Sequence, residues 1–395
     1  MISEKMKPLM ENNSAIRTMF EEGDKMRAKY GRDQVYDFSL GNPDAPTPPE
    51  VNQAICDIVK EEPDLILHGY MSNAGFEDVR ETIAQHINKT QGTNFSMKNI
   101  LMTVGAASGL NVALKTILNP GEEVVIFTPY FLEYNWYVNN FDGAVVQAKT
   151  EPTTFQPDLA AFESCINDRT RVVLINSPHN PTGVVYSEET IKGIASILEK
   201  KQKELNRTIF IIADEPYREL AYDGINVPYV TKYYDNTIVA YSYSKSLSLP
   251  GERIGYLVIP DELEESELVF DTASNANRII GCVNAPSLQQ KVIGRCVDAK
   301  VDLSYYDKNR KALYEGLKEC GFECILPQGA FYLFVKSPVE DEAEFCQAAK
   351  KYNILMVPGS AFAGPGYVRL AYCVSYETIV NSMPGFKKLA AEYGL

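Results

Sequence analysis

The feature that most constrains the fold is a series of short, predominantly apolar runs through the middle of the chain. They lie at residues 100–104, 124–127, 172–175, 209–213 and 237–240, with turns and helical patterns between them. Because these runs do not alternate between apolar and polar residues, they are typical of parallel strands that are buried on both faces. The sequence therefore predicts an α/β fold in which ligands bind beside the carboxyl ends of the strands.

Length, composition and charge narrow the class of protein. The 395 residues allow two domains, and the fractions of hydrophobic (45%) and charged (23%) residues are typical of globular proteins. The formal net charge of −14 argues against a nucleic-acid or anionic-membrane partner. The sequence contains no long apolar run, and its opening segment lacks a signal-peptide pattern, so we expect a cytoplasmic protein.

Cysteines and histidines give no pattern that is typical of a metal site. The eight cysteines are scattered without paired C-x-x-C clusters, and the chain has three histidines. We therefore expect no bound metal and interpret the cysteines as free buried thiols.

The two ends of the chain predict further elements. An amphipathic helix is expected where Ile16, Met19, Phe20 and Met26 recur at near-helical spacing, with Gly31 ending it. From about residue 300 onward, alternating helical and strand patterns predict a second α/β domain. Other predicted elements are helices at about 49–60, 187–203 and 261–275 and strands at 322–326 and 331–336.

Lys245 stands in the loop after the last of the apolar runs, at the carboxyl end of a predicted strand. Ser242 and Ser244 precede it, and Arg253 follows eight residues later. A primary amine close to hydroxyls and a guanidinium suits a ligand that has both an aldehyde and a phosphate. The alternative is a solvated loop lysine and a surface arginine.

Two other strand ends carry groups of possible use to such a ligand. The small-residue turn Gly105-Ala106-Ala107 opens a helix, whose free N–H groups and dipole favour phosphate, although many similar turns are purely structural. Tyr130 and Phe131 follow the next run, where an aromatic side chain could offer a flat apolar face to an aromatic ring. The alternative is that both are core aromatics, which is how we interpret Tyr130.

Polar residues follow the remaining strands. Asn180, in an N-P-T-G string, has a side-chain amide that could donate a hydrogen bond to a phenolate oxygen on such a ligand. Asp214 ends a strongly apolar strand, where burial of a carboxylate is costly unless a cation such as a protonated ring nitrogen meets it. Tyr217 follows three residues later. Arg369, in a predicted strand, likewise requires an anion, and a structural ion pair is the alternative to a ligand.

The motif S-x-x-K, followed after eight residues by R-x-G, resembles the lysine region of fold-type I pyridoxal phosphate (PLP) aminotransferases of the aspartate aminotransferase superfamily. The resemblance extends from Gly41 to Arg369 and includes the asparagine and aspartate loops. It implies an α/β fold with a mostly parallel seven-stranded sheet flanked by helices, and a smaller α/β domain formed from both termini. The implied parts are an arm and part of the small domain at 1–47, a large PLP-binding domain at 48–290 and a small domain at 291–395.

The same resemblance implies roles for individual residues. Lys245, Asp214 and Tyr217 are expected to be catalytic, with Lys245 holding the cofactor as an internal aldimine and Asp214 facing its ring nitrogen. The implied cofactor-binding residues are Gly105, Ala106, Ala107, Phe131, Asn180, Asp214, Tyr217, Ser242, Ser244, Lys245, Arg253 and Tyr70. The implied substrate-binding residues are Gly41, Asn180 and Arg369.

In the resembling family the tyrosine matched by Tyr70 reaches the cofactor phosphate of the neighbouring subunit, so the resemblance implies a homodimer. Some aspartate-type members carry a lysine where this chain has Ala107, which weakens an aspartate-specific assignment. Arg278 is a candidate for binding a distal carboxylate, although its spacing matches poorly. The sequence identifies neither the amino donor nor the acceptor.

The implied activity is transfer of the α-amino group of an L-amino acid to a 2-oxo acid by a ping-pong aldimine/ketimine mechanism. A PLP-dependent β-eliminating C–S lyase would use the same groups and remains an alternative. A ligand-sensing domain of a transcription regulator is a third possibility, although the short acidic opening leaves no room for the usual DNA-binding domain.

Overall fold

The structure is a computed structural model that describes residues 2–7 and 15–395, without the side chains of residues 15–18 and 20. The predicted contacts of Ile16 and Phe20 therefore lie outside the described part of the chain. The predicted first helix is confirmed: it ends at Tyr30, and Gly31 takes φ +90°, a conformation that glycine adopts without strain.

Helices and strands alternate through most of the chain. The α-helices are α1 (Ala15–Tyr30), α2 (Pro49–Glu61), α3 (Asp64–Leu67), α4 (Glu77–Gln91), α5 (Gly105–Ile117), α6 (Glu133–Asn140), α7 (Leu159–Cys165), α8 (Glu188–Leu205), α9 (Tyr243–Ser246), α10 (Ser266–Ile279), α11 (Ser287–Cys296), α12 (Leu303–Glu319), α13 (Glu342–Ala349) and α14 (Tyr376–Glu392). The strands are β1 (Tyr36–Asp37), β2 (Ile100–Thr103), β3 (Glu123–Phe127), β4 (Ala144–Ala148), β5 (Thr170–Asn176), β6 (Phe210–Asp214), β7 (Thr237–Ser242), β8 (Gly255–Val258), β9 (Tyr332–Lys336), β10 (Ile354–Leu355), β11 (Val357–Pro358) and β12 (Tyr367–Ala371). Short 3₁₀ turns lie at Glu4–Met6, Arg32–Gln34, Met97–Asn99, Val230–Lys232, Lys350–Tyr352 and Gly359–Phe362.

The large sheet has seven strands in the order β2-β8-β7-β6-β5-β3-β4. Strand β8 runs antiparallel to both of its neighbours, and the other pairs are parallel. This confirms the predicted α/β class with a mostly parallel seven-stranded sheet.

Both faces of this sheet are covered, which explains the continuous apolar runs in the sequence. Successive side chains of a strand point to opposite faces. In β6, Ile211 and Ala213 enter a core that includes residues of α2, α4, α8 and α11, whereas Phe210 and Ile212 enter a core that includes residues of α5, α6 and α10. In a strand that is buried on both faces, polar side chains are unfavourable everywhere except at the end of the strand.

The parallel strands bring their carboxyl ends to one edge of the sheet. In the register of β5 and β6, Asn176 lies opposite Asp214, and Asp214 in turn lies opposite Ala240 of β7. Strand β7 ends at Ser242, and the single-turn helix α9 follows directly. The polar ends of three consecutive strands are therefore neighbours in space.

A second core lies beside the large sheet. It contains an antiparallel sheet of order β11-β12-β9, and the nearby strands β1 and β10 pair in parallel. Phe38 from the first part of the chain and Phe386 of α14 both belong to this core, with ring centroids 6.0 Å apart. Segments from both ends of the chain thus build it.

The division into domains stays a prediction. Position 290 lies inside α11, whose residues Val292 and Ile293 belong to the core on the large sheet. Helix α12 is the first long helix after that point to contribute to the second core, through Tyr306 and Leu313. Among the described helices, none is long and apolar enough to span a membrane.

Two local predictions are wrong. Residues 322–326 do not form a strand, since Cys324 makes only one isolated bridge, to Val335; Gly321 with φ +88° before the segment and Pro327 after it leave no room for a ladder. The cysteines are free, but they are not all buried. Cys56 is exposed because it lies on the outer face of α2, opposite the buried Ala54 and Ile58.

Candidate active site

A cavity of about 290 Å³ opens at the carboxyl edge of the large sheet, where the second core meets it. Strands β5, β6 and β7 reach it from one side, and β9 and β12 reach it from the other. Most of the residues predicted from the sequence meet around this cavity. Those that line it are Gly41, Ala106, Ala107, Phe131, Asn180, Asp214, Tyr217, Ser242, Ser244, Lys245, Arg253 and Arg369.

Lys245 projects into the cavity from α9 and is partly buried. Its Nζ donates a hydrogen bond of 2.7 Å to the carbonyl oxygen of Gly41 and lies 5.2 Å from the ring centroid of Phe331. Burial lowers the pKa of Lys245 to about 8, and the nearby positive charges of Arg369 and Arg253 act in the same direction. The amine therefore exists partly in its neutral, nucleophilic form near neutral pH.

Asp214 ends β6 and is buried. Tyr134 of α6 donates a hydrogen bond of 2.6 Å to its Oδ2, whereas its buried Oδ1 has no hydrogen-bond partner among the described residues. Burial raises the pKa of Asp214 to about 7, against the opposing effect of the Tyr134 hydrogen bond. A carboxylate with one unsatisfied buried oxygen is costly, and a cationic donor would remove that cost.

Asn176 and Asn180 connect the ends of β5 and β6. Asn176 donates to the backbone oxygen of Asp214 at 2.9 Å and accepts from the backbone N–H of Asn180 at 2.8 Å. The side-chain oxygen of Asn180 accepts from Nη1 of Arg369 at 3.0 Å. The Asn180 loop is therefore fixed to the same strand end that presents Asp214.

Arg369, in β12, is 2% exposed, yet within the described part of the chain its guanidinium meets only neutral acceptors. Besides Asn180, it donates through Nη2 to the carbonyl oxygen of Ser39 at 2.7 Å, and its Nε has no partner among the residues described. The group lies over the rings of Tyr332 and Phe362, 4.5 and 4.4 Å from their centroids. Burial lowers the pKa of Arg369, because none of the described carboxylates offsets the loss of water. Such a group suits an anionic ligand.

Tyr217 and Tyr332 form a hydroxyl pair on the wall of the cavity. Their oxygens are 2.9 Å apart, and the rings meet edge to face. A Cβ atom at position 41 would collide with the Tyr332 hydroxyl, so Gly41 is required for this approach. Burial raises the pKa values of Tyr217 and Tyr332, and both therefore remain protonated donors at neutral pH.

The start of α5 and the α9 segment form a site with the chemistry of a phosphate cradle. Gly105 takes φ +76°, and a Cβ atom there would lie 2.8 Å from Nη2 of Arg253, so glycine lets the guanidinium approach the helix N-terminus. The hydroxyls of Ser242 and Ser244 are 2.7 Å apart. Arg253 donates to the carbonyl of Pro250, and none of the described carboxylates pairs with it. Hydroxyls, a free guanidinium and helix N–H groups favour a phosphate.

Phe131 lines the cavity, whereas Tyr130 is buried away from it. The hydroxyl of Tyr130 donates to Asn135 and accepts from Gln147. The ring of Phe131 meets that of Tyr134 edge to face, with centroids 5.6 Å apart. The flat face of Phe131 is thus held in a fixed orientation.

Three further residues lie apart from the cavity. Tyr70 is 96% exposed and Arg278 is exposed near the end of α10, and neither lines the cavity. His179 is buried, with its ring nitrogen Nδ1 at 2.6 Å from the hydroxyl of Thr182. Burial lowers the pKa of His179 to about 3, so its ring is neutral.

Sequence reasoning missed several residues that line the cavity, chiefly Tyr134, Asn176 and Tyr332. Asn176 could have been found, because it ends an apolar strand in the same way as Asp214 does. Tyr134 lies three residues after Phe131, which is the spacing of one helical turn. Tyr332 carries no such local signal, since only the packing of β9 against the large domain brings it to the site.

The fold is that of the fold-type I PLP-dependent aminotransferases. The chain belongs to the aminotransferase class I and II family, whose family model matches residues 33–381. This confirms the resemblance found in the sequence.

Individual relatives agree with this assignment. The chain is 32% identical over 365 residues to an aspartate aminotransferase of Thermotoga maritima, covering 91% of this chain and 92% of the relative. It is 31% identical to a probable N-acetyl-LL-diaminopimelate aminotransferase of Bacillus subtilis, covering 88% and 87%. A crystal structure of an aminotransferase from Eubacterium rectale shares 48% identity with a TM-score of 0.97, covering 100% of this chain and 99% of that one. The protein is therefore an aminotransferase, a class of transferase.

Proposed function

We propose that the protein is a PLP-dependent aminotransferase that moves the α-amino group of an L-amino acid to a 2-oxo acid with ping-pong kinetics. One observation carries this proposal. A lysine amine with a lowered pKa and a buried carboxylate with an unsatisfied oxygen face the same cavity. An aldehyde that bears a protonatable ring nitrogen would satisfy both groups.

The residues present fit PLP. Oδ1 of Asp214 is buried and has no partner among the described residues, so a ring N–H donor could bond there. The close approach of Arg253 to Gly105 leaves a guanidinium and helix N–H groups free for a phosphate. Phe131 presents a flat apolar face. The residues that would hold the cofactor are Gly105, Ala106, Ala107, Phe131, Asn180, Asp214, Tyr217, Ser242, Ser244, Lys245 and Arg253.

When bound, PLP supplies an aldehyde that links covalently to amines and a pyridinium ring that withdraws electrons from the substrate carbon. The chain supplies proton transfer and orientation. Lys245 is the proposed acid and base for the substrate α-proton, because a pKa of about 8 allows its amine to take up and release a proton near neutral pH. The carbonyl of Gly41 marks one position that its Nζ can reach.

Arg369 is the proposed anchor for the substrate carboxylate. Its guanidinium already spans Asn180 and Ser39, and its charge has no carboxylate partner among the described residues. The fork of the guanidinium matches a carboxylate, which would fix the orientation of the α-carbon relative to Lys245. Gly41 and Asn180, proposed as further substrate-binding residues, lie beside it.

Tyr217 and Asn180 are the proposed donors to the phenolate oxygen of the cofactor. Tyr217 keeps its proton at neutral pH, and its hydroxyl is oriented by Tyr332. The side-chain oxygen of Asn180 is engaged by Arg369, which turns its amide N–H groups toward other acceptors. Both side chains therefore have donors to offer.

The names of the relatives favour amino transfer over β-elimination but do not agree on a substrate. They include aspartate, aspartate/prephenate, aromatic-amino-acid and N-acetyl-LL-diaminopimelate aminotransferases. Ala107 contributes only a methyl group to the cavity wall, and Arg278 does not line it. The donor is therefore best sought in a screen of amino acids against several 2-oxo acids.

A homodimer is part of the proposal. Tyr70 is 96% exposed, and Leu65 and Ile66 before it are also exposed. Adjacent exposed apolar side chains are typical of a surface that a partner covers. In a dimer Tyr70 would reach the phosphate site of the neighbouring chain.

Replacing Lys245 tests the proposed function. We expect Lys245→Ala to abolish amino transfer, because no other lysine lines the cavity among the described residues, while the exposed control Lys192→Ala keeps full activity. Borohydride reduction of the wild type loaded with PLP should leave a cofactor adduct at position 245, identified by peptide mass spectrometry. Near-normal transfer by Lys245→Ala would contradict the proposal, and ammonia or sulfide release without a 2-oxo acid would favour the lyase.

A further inference from the structure

Tyr134 contacts both groups that would flank the ring of a cofactor. Its hydroxyl donates to Oδ2 of Asp214 at 2.6 Å, and its ring meets Phe131 edge to face at 5.6 Å. Tyr134 is fully buried, and the two contacts use different parts of the side chain. Tyr134 therefore contacts the carboxylate of Asp214 through its hydroxyl oxygen and the ring of Phe131 through its own ring.

The two oxygens of Asp214 are not equivalent. Oδ2 receives the Tyr134 hydroxyl, whereas Oδ1 is buried and has no partner within the described chain. The backbone of Asp214 is held separately, by Asn176 through its carbonyl oxygen. The only side-chain hydrogen bond on the carboxylate, among the residues described, is thus the one from Tyr134, and this bond decides which oxygen is left for the cavity.

The other charged and titratable groups around Asp214 do not replace that bond. Tyr137, one turn further along α6, and Tyr217, from the loop after β6, act on Asp214 only at longer range. Glu215, its neighbour in the chain, disfavours the charge of Asp214, although Arg218 pairs with Glu215 at 2.5 Å. Since none of these groups donates to the carboxylate, Tyr134 is the local group that stabilises its ionised form.

We propose that Tyr134 is a positioning residue that keeps Asp214 ionised and turns its Oδ1 toward the ring nitrogen of the bound cofactor. This inference rests on the proposed function for its second half. The first half, the effect on the carboxylate itself, is a property of the protein without any cofactor.

The physical reason is the cost of burying a charge. A hydrogen bond to a charged group stabilises the charged form more than the neutral form, so the Tyr134 hydroxyl opposes the rise in the pKa of Asp214 that burial causes. Without the hydroxyl, the carboxylate would hold its proton to a higher pH. A protonated Asp214 would no longer present a negative oxygen to a pyridinium.

The sign of the pH dependence follows from linkage. The pKa of Asp214 is about 7 in the folded protein, against 3.8 for an unperturbed aspartate. At pH values between these two, the folded protein binds more protons than the unfolded chain, so its stability falls as the pH rises through this range. Removing the hydroxyl raises the folded-state pKa further. The variant should therefore continue to lose stability above pH 7, where the wild type has levelled off.

Tyr134→Phe isolates the hydroxyl, because the ring that packs on Phe131 remains. Tyr130→Phe is the matched control: it also removes a buried hydroxyl from this region, but one that bonds Asn135 and Gln147 rather than Asp214. Melting temperatures of the cofactor-free wild type and both variants are compared at pH 5 and pH 8. Relative to the wild type, we expect Tyr134→Phe to lower the melting temperature more at pH 8 than at pH 5. We expect Tyr130→Phe to lower it by the same amount at both pH values.

The affinity of the protein for PLP is a second quantity that tests the proposal. Titration of the same three proteins with PLP at pH 8 should give a dissociation constant about tenfold higher for Tyr134→Phe than for the wild type, as expected for loss of a hydrogen bond to a charged group. For Tyr130→Phe we expect a constant within about twofold of the wild type.

The outcomes separate the two proposals. If Tyr134→Phe lowers the melting temperature equally at pH 5 and pH 8 and leaves the affinity for PLP unchanged, the proposed role of Tyr134 is wrong. The assignment of the enzyme would not be affected. A wild type that binds no PLP would overturn the proposed function, and the cofactor-free comparison would still decide whether Tyr134 controls the ionisation of Asp214.

Discussion

Arg310, on α12 in the second core, and Arg369, in the cavity, are both almost completely buried, but their guanidinium groups meet different partners. Arg310 pairs with Asp223 at 2.8 Å and with Asp307 at 2.6 Å. Burial alone would lower the pKa of Arg310, yet these two carboxylates outweigh it and the pKa is raised. For Arg369, burial lowers the pKa, since its partners are neutral oxygens and aromatic rings.

This difference supports a structural role for Arg310 and the proposed binding role of Arg369, two roles that burial alone does not distinguish. When a buried charge forms an ion pair within the chain, the pair offsets the cost of desolvation without a ligand. A buried cation that contacts only neutral groups is stabilised when an anion binds. The alternative considered for Arg369 from the sequence, a structural ion pair, describes Arg310 instead. Four substitutions test the comparison.

The largest effect is expected for Arg369→Met. We expect kcat/KM for amino transfer to fall about a thousandfold, or roughly 4 kcal/mol, because the substrate carboxylate loses its buried charge partner. The free energy of unfolding without ligand should change by less than about 1 kcal/mol, since the lost hydrogen bonds are offset by removal of an uncompensated buried charge. Steady-state kinetics and urea unfolding measure the two quantities. Lower stability with normal kcat/KM would show that Arg369 has a structural role and not a substrate-binding one.

Arg310→Met should show the reverse pattern. We expect a loss of about 3 kcal/mol in the free energy of unfolding, because Asp307 and the carbonyl of Pro327 lose their buried donor. The half-exposed Asp223 keeps its contact with water and limits the cost. The kcat/KM of the folded protein should stay within about twofold.

Lys311→Met is the matched control for Arg310, because Lys311 pairs with the same Asp307 but from an exposed position. We expect it to cost less than about 1 kcal/mol. If both substitutions cost the same in urea unfolding, burial of the Arg310 ion pairs does not contribute and the comparison fails.

Arg278→Ala should have the smallest effect. This arginine is exposed near the end of α10 and does not line the cavity, so we expect kcat/KM for monocarboxylic amino acids to change less than about threefold. The informative measurement is the ratio of kcat/KM for dicarboxylic to monocarboxylic amino acids in the wild type and the variant. A tenfold fall in this ratio would show that Arg278 binds a distal carboxylate, as considered from the sequence.

The sequence predicted many of the residues that line the cavity, because parallel strands place the residues at their carboxyl ends along one edge of the sheet. Asp214 closes an apolar run, and Asn180 and Lys245 lie in loops that follow such runs, so one topological rule collects them at one edge. The same rule could not find Tyr134, whose bond to Asp214 joins residues 80 positions apart. Gly41 and Tyr332 are another such case, since the reason for the glycine is a hydroxyl from β9.

Local pattern failed where the propensity of a segment and its surroundings disagree. Residues 322–326 contain apolar residues suited to a strand, but the turn at Gly321 and Pro327 limit them to a single bridge. The exposed Cys56 shows the same limit, because residue type alone does not say which face of α2 is covered.

By itself, the sequence determined the strand and helix alternation, the fold class and the types of chemical group available, because backbone periodicity and side-chain chemistry are local properties. Only the tertiary structure decided which oxygen of Asp214 lacks a partner, which buried arginine is compensated and which amine has its pKa lowered. The physical reason is that desolvation and charge compensation depend on every neighbour within a few ångströms, and in this fold most of those neighbours come from distant parts of the chain.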